Sequence, residues 1–389
     1  MKILILVATY YPQKNGVQGV TQYQAEGLAA LGHEVTVITS SRYCPIEHEM
    51  HNGVEILRIY CYTQGMLYFG DKKKYISILR EKIKNVDVIL SVCIQSWVTD
   101  LFLPLIDQLN VPKALMIHGM HDFRWSNFKD RSVYGLLRKV WGDIRWPLYF
   151  KQNWENFKQF DAIAQLHEKD FATLYFNKHD VQNQNVLYNA VDDEFFAFTG
   201  EKKNQIVNVG TYAPGKNQIA CLQAFYRADL PNWKLVLIGS SKNRYYEKLL
   251  QTKQKLERKF GKRDVEIKVG ITRQETIRNI CESKIYLLTS ISEKFPVSLI
   301  EAMAAGCAWI STDVGINAYL PGGKIADTPA EMAQLVEESA QDENWKKLGE
   351  QGKQFTYENC KKETQVKKLE QILQNAIQNY KNKTAIELN

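Results

Sequence analysis

"SEKFPVSLIEAMAAG", residues 292–306, places two glutamates, Glu293 and Glu301, on either side of a Phe-Pro-Val-Ser turn and then runs through small residues to a glycine. Proline is favoured in the first turn of a helix and glycine just past its end, so the stretch reads as a helix that starts near Pro296 and stops at Gly306. A helix N-terminus carries unpaired N–H groups and the positive end of the macrodipole. The amides of Val297 and Ser298 would therefore be free to meet an anion. Glu301 lies about 7 Å further along the axis, at ~1.5 Å per residue, roughly the step from a diphosphate to a ribose. A carboxylate there can accept both ribose hydroxyls, and Glu293, ahead of the helix, can accept sugar hydroxyls on the other side. Ala302, Ala304 and Ala305 let the helix lie close to its neighbours. An ordinary buried helix with solvated acids fits the same residues, so the rest of the chain has to choose.

Around this stretch, short β-rich runs alternate with longer helical patterns, the signature of parallel sheets with crossover helices. Strands are expected at "KILILVA", "EVTVIT", "VEILRI", "DVILSV", "KALMIHG" and "DAIAQL", and the alternation restarts with "QIVNVG", "KLVLIGS", "VEIKVG", "KIYLLTS" and "AWISTDV". Two doubly wound α/β units in tandem follow, with a seam near "LYNAVDDEFF", residues 187–196. The charged tail from about 331 to 381 reads as helical, and its last helix could pack back across the first unit.

Length and composition agree. A chain of 389 residues with 45% hydrophobic and 24% charged residues suits a folded protein of two domains. The opening "MKILILVATYYP" reads as a first strand and not as a signal peptide. No apolar run approaches the roughly 18 residues of a membrane span. The seven cysteines are scattered without a Cys-x-x-Cys pair, which speaks against a disulfide framework or a zinc site and fits a reducing cytoplasm. Of the net charge of +7, five units fall between Arg124 and Lys158, in a stretch that also holds Trp125, Trp141, Trp146 and Trp154. Interleaved Lys, Arg and Trp suit an anionic membrane surface or a lipid-linked acceptor, and Lys72, Lys73 and Lys74 add a second cluster. Solvated cations and core tryptophans are the plain alternative. Nucleic-acid binding fits poorly, because the charge is confined and no recognition motif appears.

Ligands of open parallel sheets sit beyond the carboxyl ends of strands. After the first strand, Gly16 and Val17 open a helix whose amides can face a phosphate, or are simply a loop glycine at a helix start. A dinucleotide fingerprint fails on spacing, and the second strand ends in Thr39, Ser40 and Ser41 in place of an acid. His118 ends the fifth of these strands and can bond a hydroxyl through a ring nitrogen, though most lone histidines do not. After "QIVNVG", Gly210 and Thr211 lead to Lys216 and Asn217 before an amphipathic helix. A lysine there can neutralise charge on a leaving phosphate, or be a solvated loop lysine.

With these residues together, the chain resembles the retaining glycosyltransferases of family 4, whose GT-B fold has two Rossmann-like domains facing a central cleft. Four segments carry the resemblance in order: "NGV…GLAALGHEVTVIT" (15–39), "LYNAVDDEFF" (187–196), "VGTYAPGKN" (209–217) and "SEKFPVSLIEAMAAGCAWISTDVG" (292–315). The resemblance implies an acceptor-binding domain over 1–195, joined by a helix at about 365–389, and a nucleotide-sugar-binding domain over 196–364. It also implies that Glu301 holds the ribose and Glu293 the donor sugar, with the backbone of Phe295, Pro296, Val297 and Ser298 near sugar and diphosphate. Lys216 would stabilise the leaving diphosphate beside Gly210, Thr211 and Asn217. Gly16 and Val17 would approach it from the first domain, His118 would contact the sugar, and Gly270 and Ile271 would lie by the base. Catalysis would fall to His118, Lys216 and Glu293. Thr211 stands where the family often has an arginine, and Lys242 or Arg244 could substitute for it.

The expected activity is a retaining, metal-independent hexosyl transfer from a UDP- or GDP-sugar to a glycan or lipid-linked acceptor, in bacterial-type surface polysaccharide or glycolipid assembly. No cofactor is expected, and the absence of any Asp-x-Asp leaves no bridging metal to assign. The protein would be cytoplasmic, either free or peripheral on the inner face of the membrane. A non-catalytic partner subunit, or an epimerase or hydrolase of nucleotide sugars, are the alternatives.

Overall fold

The structure, a computed structural model, describes residues 1–13, 16–121, 123 and 133–387. It divides into two compact units, one of Met1–Asn189 with Lys362–Asn389 and one of Ala190–Lys361.

The first unit is built on strands β1 (Lys2–Leu6), β2 (Glu34–Ser40), β3 (His48–His51), β4 (Val54–Ile59), a separate hairpin of β5 (Cys61–Gln64) and β6 (Leu67–Gly70), then β7 (Val88–Val92), β8 (Lys113–Ile117), β9 (Ala162–Gln165) and β10 (Gln184–Val186). Its helices are α1 (Gly16–Ala30), α2 (Lys72–Lys82), α3 (Trp97–Asp100), α4 (Val133–Phe157), α5 (Phe171–Asn177) and, from the end of the chain, α12 (Lys362–Glu387). The sheet order is β10-β9-β8-β7-β1-β2-β4-β3, parallel except where β3 pairs antiparallel with β4. Successive side chains of a strand point to opposite faces, and β1 divides accordingly. Leu4 and Leu6 enter one core with Trp97, Phe102, Phe150 and Phe157. Ile3 and Ile5 enter the other with Leu28 of α1 and Leu369 and Leu373 of α12. Both faces are therefore covered, as the continuous apolar runs of a parallel sheet require.

The second unit holds β11 (Lys203–Val209), β12 (Lys234–Gly239), β13 (Asp264–Val269), β14 (Ser283–Leu288), β15 (Ala308–Ser311) and β16 (Gly323–Ile325), with α6 (Gln218–Arg227), α7 (Arg244–Phe260), α8 (Arg273–Cys281), α9 (Val297–Ala304), α10 (Pro329–Ala340) and α11 (Asn344–Asn359). Its order is β13-β12-β11-β14-β15-β16, parallel throughout. The order reverses at β11: the chain steps outward to β12 and β13, then returns to lay β14 on β11's other side.

The short elements β3, β5, β6, β10 and β16 carry no strand pattern strong enough to read from sequence. They are three or four residues long and, apart from buried Cys61, only partly buried or exposed, so partner strands decide them. The basic, Trp-rich stretch is also not one uniform face. Residues 124–132 lie outside the described residues, while Trp146 is buried in the core and Lys139 is buried in an ion pair with Asp143. Trp141 stays half-exposed.

Where α12 returns to the first unit it meets α1 at a glycine. A Cβ on Gly27 would stand 2.5 Å from a Val366 methyl. His33 Nε2 lies 2.8 Å from Glu370 Oε1, tying the same helix down nearby. Gly27→Val is expected to destabilise the first unit by about 1–3 kcal/mol through overpacking, read by urea unfolding, and Val366→Ala should recover part of that loss in the double variant. A strictly additive cycle would show that the two helices do not meet there.

Candidate functional site

In the second unit the loops after β11 and β14 leave adjacent strands at the point where strand order reverses, the place where open α/β sheets bind ligands. Backbone and side chain stitch the two loops together. The amide of Ile291 donates to Gly215 O at 2.8 Å, and Thr289 Oγ1 donates to Asn217 O at 2.9 Å. Asn217 takes a left-handed conformation, φ 49° and ψ 42°, as it turns the chain into α6.

This stitching sets Lys216 against Glu293, with Nζ 2.5 Å from Oε1. The two belong to different loops, 77 residues apart in sequence. Lys216 keeps part of its side chain in solvent while Glu293 is mostly covered. Three residues past Glu293, Pro296 takes the N-cap position of α9, and no side chain caps that helix. Ser298 in its first turn accepts from the hydroxyl of Tyr286 at 2.7 Å, and burial holds Tyr286 well above the ordinary tyrosine value, so it remains a donor. Gly315 explains the end of the same motif. With φ +59°, a Cβ there would stand 2.2 Å from Lys294 O, so the loop after β15 presses on the loop carrying Glu293 only as glycine. Gly306 closes α9 with φ +73°, and Cys307 N donates to Ala302 O at 2.9 Å.

Glu301 is buried in α9, and a cation absent from the sequence reading holds it. Arg273, the first residue of α8, donates to Glu301 Oε1 at 2.6 Å and to Asp192 Oδ2 at 2.7 Å. Its guanidinium lies 5.1 Å from the centre of the Phe195 ring. Burial disfavours that charge, and the two carboxylates more than offset it, leaving Arg273 firmly protonated. A buried carboxylate without such a partner would be costly. The sequence signal for Arg273 was slight, since it is simply three residues past Gly270. Gly270 itself has φ +63° and donates to Gly239 O at 2.9 Å, fixing the turn that delivers Ile271 and then Arg273.

The remaining second-unit positions gather on the same loops. Gly210 donates to Ile238 O at 3.0 Å, and Thr211 O accepts from Gln218 Nε2 at 3.1 Å. Asn243, between Lys242 and Arg244 at the start of α7, donates to Tyr212 O at 2.8 Å, so that pair of cations stands beside the Thr211 loop. The structure thus brings Gly210, Thr211, Lys216, Asn217, Glu293, Phe295, Pro296, Gly270 and Ile271 to the carboxyl-end loops of β11, β13 and β14, and Val297, Ser298 and Glu301 to the helix α9 that follows β14.

Gly16, Val17 and His118 belong to the first unit, Gly16 opening α1 and His118 following β8. Nothing crowds Gly16, whose Cβ position is open. His118 Nε2 is shielded from solvent and has no hydrogen-bond partner in the structure. Burial lowers its ring pKa to about 4. Among the described residues no cluster of His, Cys, Asp or Glu is arranged to hold a metal ion.

Residues 14–195 match the family described as Glycosyltransferase Family 4, and residues 191–322 match Glycosyl transferases group 1. Among curated proteins, the human GDP-Man:Man(3)GlcNAc(2)-PP-Dol alpha-1,2-mannosyltransferase is 30% identical over 118 residues, 28% of this chain and 24% of that protein. Its Dictyostelium discoideum counterpart is 24% identical over 154 residues, 36% of this chain and 30% of that one. The chain thus matches only about a quarter to a third of the length of these relatives. Solved structures superpose over nearly the full length. A glycosyltransferase from Rickettsia africae has a TM-score of 0.70 at 16% identity, covering 97% of this chain and 99% of its own. Anabaena HepE in complex with UDP has a TM-score of 0.69 at 13% identity, covering 96% and 100%. Sucrose-phosphate synthase from Thermosynechococcus elongatus has a TM-score of 0.68 at 14% identity, covering 95% and 98%. The chain belongs to the family 4 glycosyltransferases, with the GT-B fold of two Rossmann-like units.

Proposed function

We propose that the chain transfers a sugar from a UDP- or GDP-sugar to a hydroxyl of a glycan or lipid-linked acceptor, with retention and without a metal, in bacterial-type surface polysaccharide or glycolipid assembly. The observation that carries this reading is the Lys216–Glu293 pair beside the uncapped start of α9, with Glu301 buried further along the same helix. The names of some of the similar proteins support the donor class, since Anabaena HepE was solved with UDP and the two mannosyltransferases carry GDP-Man in their names.

In this reading each charge has a resting partner and a working one. Lys216 leaves Glu293 for the leaving diphosphate, and Glu293 then accepts hydroxyls of the donor sugar. The helix dipole of α9 and the amides around Phe295–Ser298 add positive potential where phosphate charge grows, in place of a metal ion. Glu301 accepts the ribose hydroxyls, oriented by Arg273. The acceptor oxygen forms its bond to the anomeric carbon as the bond from that carbon to the phosphate breaks. Its proton passes to the departing phosphate oxygen on the same face, so no protein nucleophile is assigned. Gly16 and Val17 are assigned to the diphosphate, and His118 to a sugar hydroxyl as a neutral ring.

The first test is thermal unfolding with UDP, GDP, ADP or NAD at millimolar concentration. One nucleoside diphosphate should stabilise the wild type, by about 2.7 kcal/mol at a hundredfold excess over its dissociation constant, and Glu301→Ala should remove the effect. No response from the wild type to any of them would sink the donor reading. Arg273→Ala is expected to weaken the same nucleotide about tenfold, or about 1.4 kcal/mol, with Arg273→Lys intermediate; equal affinity in all three would leave Arg273 a structural ion pair alone.

Lys216→Ala should lower kcat about 10²–10³-fold while the nucleotide still binds. Donor consumption without acceptor would favour the epimerase or hydrolase reading, and binding without any turnover the partner-subunit reading.

The lowered pKa of His118 gives a pH signature. Its neutral form is retained as pH falls from 8 to 5 and is lost only on approach to about 4. Turnover should therefore show no step near pH 6.5 attributable to His118; such a step, abolished in His118→Asn, would contradict a neutral ring with a shielded Nε2.

A further inference from the structure

Helix α4 has two unlike faces. Its inner face is anchored, with Trp146, Phe150 and Phe157 in the core and the Tyr149 hydroxyl donating to Asp100 Oδ1 at 2.7 Å. Its outer face is apolar where a surface helix should be polar. Val133, Leu137, Val140, Trp141, Ile144 and Leu148 are between 38% and 75% exposed. At ~100° per residue these six fall within one arc of about 100°, a continuous stripe some 24 Å long at ~1.5 Å per residue. A patch of this size on a folded chain marks a surface that something covers.

The charges nearby say what covers it. Exposed Arg138 borders the stripe, and exposed Lys151 and then Glu155 continue it, Glu155 being paired with Lys158 at 2.8 Å. Helix α2 packs into the same core, through Tyr75 and Leu79, and so flanks the same face of the sheet. Its outer side forms an open groove of about 830 Å³ in which Lys72, Lys73, Arg80 and Lys84 surround Ile76 and Leu101, with Glu81 the one acid lining it. A second copy of this chain would bring the same cations against each other, whereas an anionic bilayer complements both the charge and the apolar stripe. No helix among the described residues is long and apolar enough to cross a membrane, and the inner face of α4 is committed to the core, so the helix lies flat.

We propose that the outer face of α4 seats in the interfacial layer of an anionic lipid bilayer, with the α2 groove taking lipid headgroup phosphates. The insertion is carried by the apolar stripe, to which Trp141 belongs, while Trp146 and Trp154 pack with the core. It gives the acceptor reading its surface, and in purpose it rests on that reading. The residues of α4 and α2 are separate from the donor site, so vesicle binding and nucleotide stabilisation fail separately.

The test is sedimentation of the full chain with vesicles of phosphatidylcholine alone or mixed equally with phosphatidylglycerol. The wild type should bind the mixed vesicles, less so as salt rises past ~0.15 M, where the Debye length is about 8 Å, and a blue shift of tryptophan fluorescence on binding should vanish in Trp141→Phe. Leu137→Asp with Ile144→Asp should cut binding at least about tenfold, and Lys72→Gln with Arg80→Gln should remove the preference for phosphatidylglycerol. Both variants change exposed residues, so their unfolding midpoints and nucleotide shifts should match the wild type. No binding by the wild type, or equal binding by the aspartate variant, overturns the proposal. A wild-type dimer in light scattering that the aspartate variant dissolves, without vesicle binding, assigns the stripe to a second copy instead.

Discussion

The reversal of strand order at β11 is the constraint on which the second unit depends. Parallel strands joined by right-handed crossovers can add to a sheet in one direction only until the chain returns to the starting edge. Where it returns, the loops after β11 and β14 leave side by side toward different helices. The bonds from Ile291 and Thr289 to the backbone of 215–217 then hold the two loops as one surface. Lys216 meets Glu293 because of that arrangement, and no local propensity of either loop would produce it.

The same surface is charged in pairs. Lys216 rests on Glu293, and Arg273 rests on Glu301 and Asp192. Such pairing lets the protein keep carboxylates in a partly dry place without the penalty of an isolated charge. It also gives the "LYNAVDDEFF" segment a physical role, since Asp192 supplies one anchor for Arg273 and Phe195 lies beside its guanidinium. Backbone geometry completes the support: Gly315 admits a contact that any side chain would block, and Gly349 allows α11 to approach Gly306 O, to which a Cβ at that position would be only 2.3 Å away.

The first unit shows a different balance. Its sheet is sealed on one face by α1 and α12 and on the other by the aromatic layer that α4 brings. That layer takes up Trp146, Phe150 and Phe157, so the aromatic content of the stretch goes largely to the core and the outer turns of α4 carry aliphatic residues and Trp141. A helix that is apolar on both sides reads in sequence as simply rich in large residues.

Much was legible from the chain alone. Strand and helix alternation, the restart after residue 190, the helix from Val297 with its closing Gly306, the loop positions of Lys216 and Glu293 and the helical position of Glu301 follow from period, glycine and proline placement and spacing, all of them local signals. The edge strands and the β5–β6 hairpin were not, because short exposed strands are decided by their partners. Arg273 was invisible for the same reason that Lys216 and Glu293 were not seen as a pair: an ion pair between residues 28 or 77 positions apart exists only once the sheet has set the loops beside each other. The sequence by itself determined which elements form and which chemical groups stand at their ends. Only the tertiary structure decided which of those groups touch and which face of α4 remains outside, because contact and burial depend on the packing of elements distant in sequence, and periodicity carries no record of that.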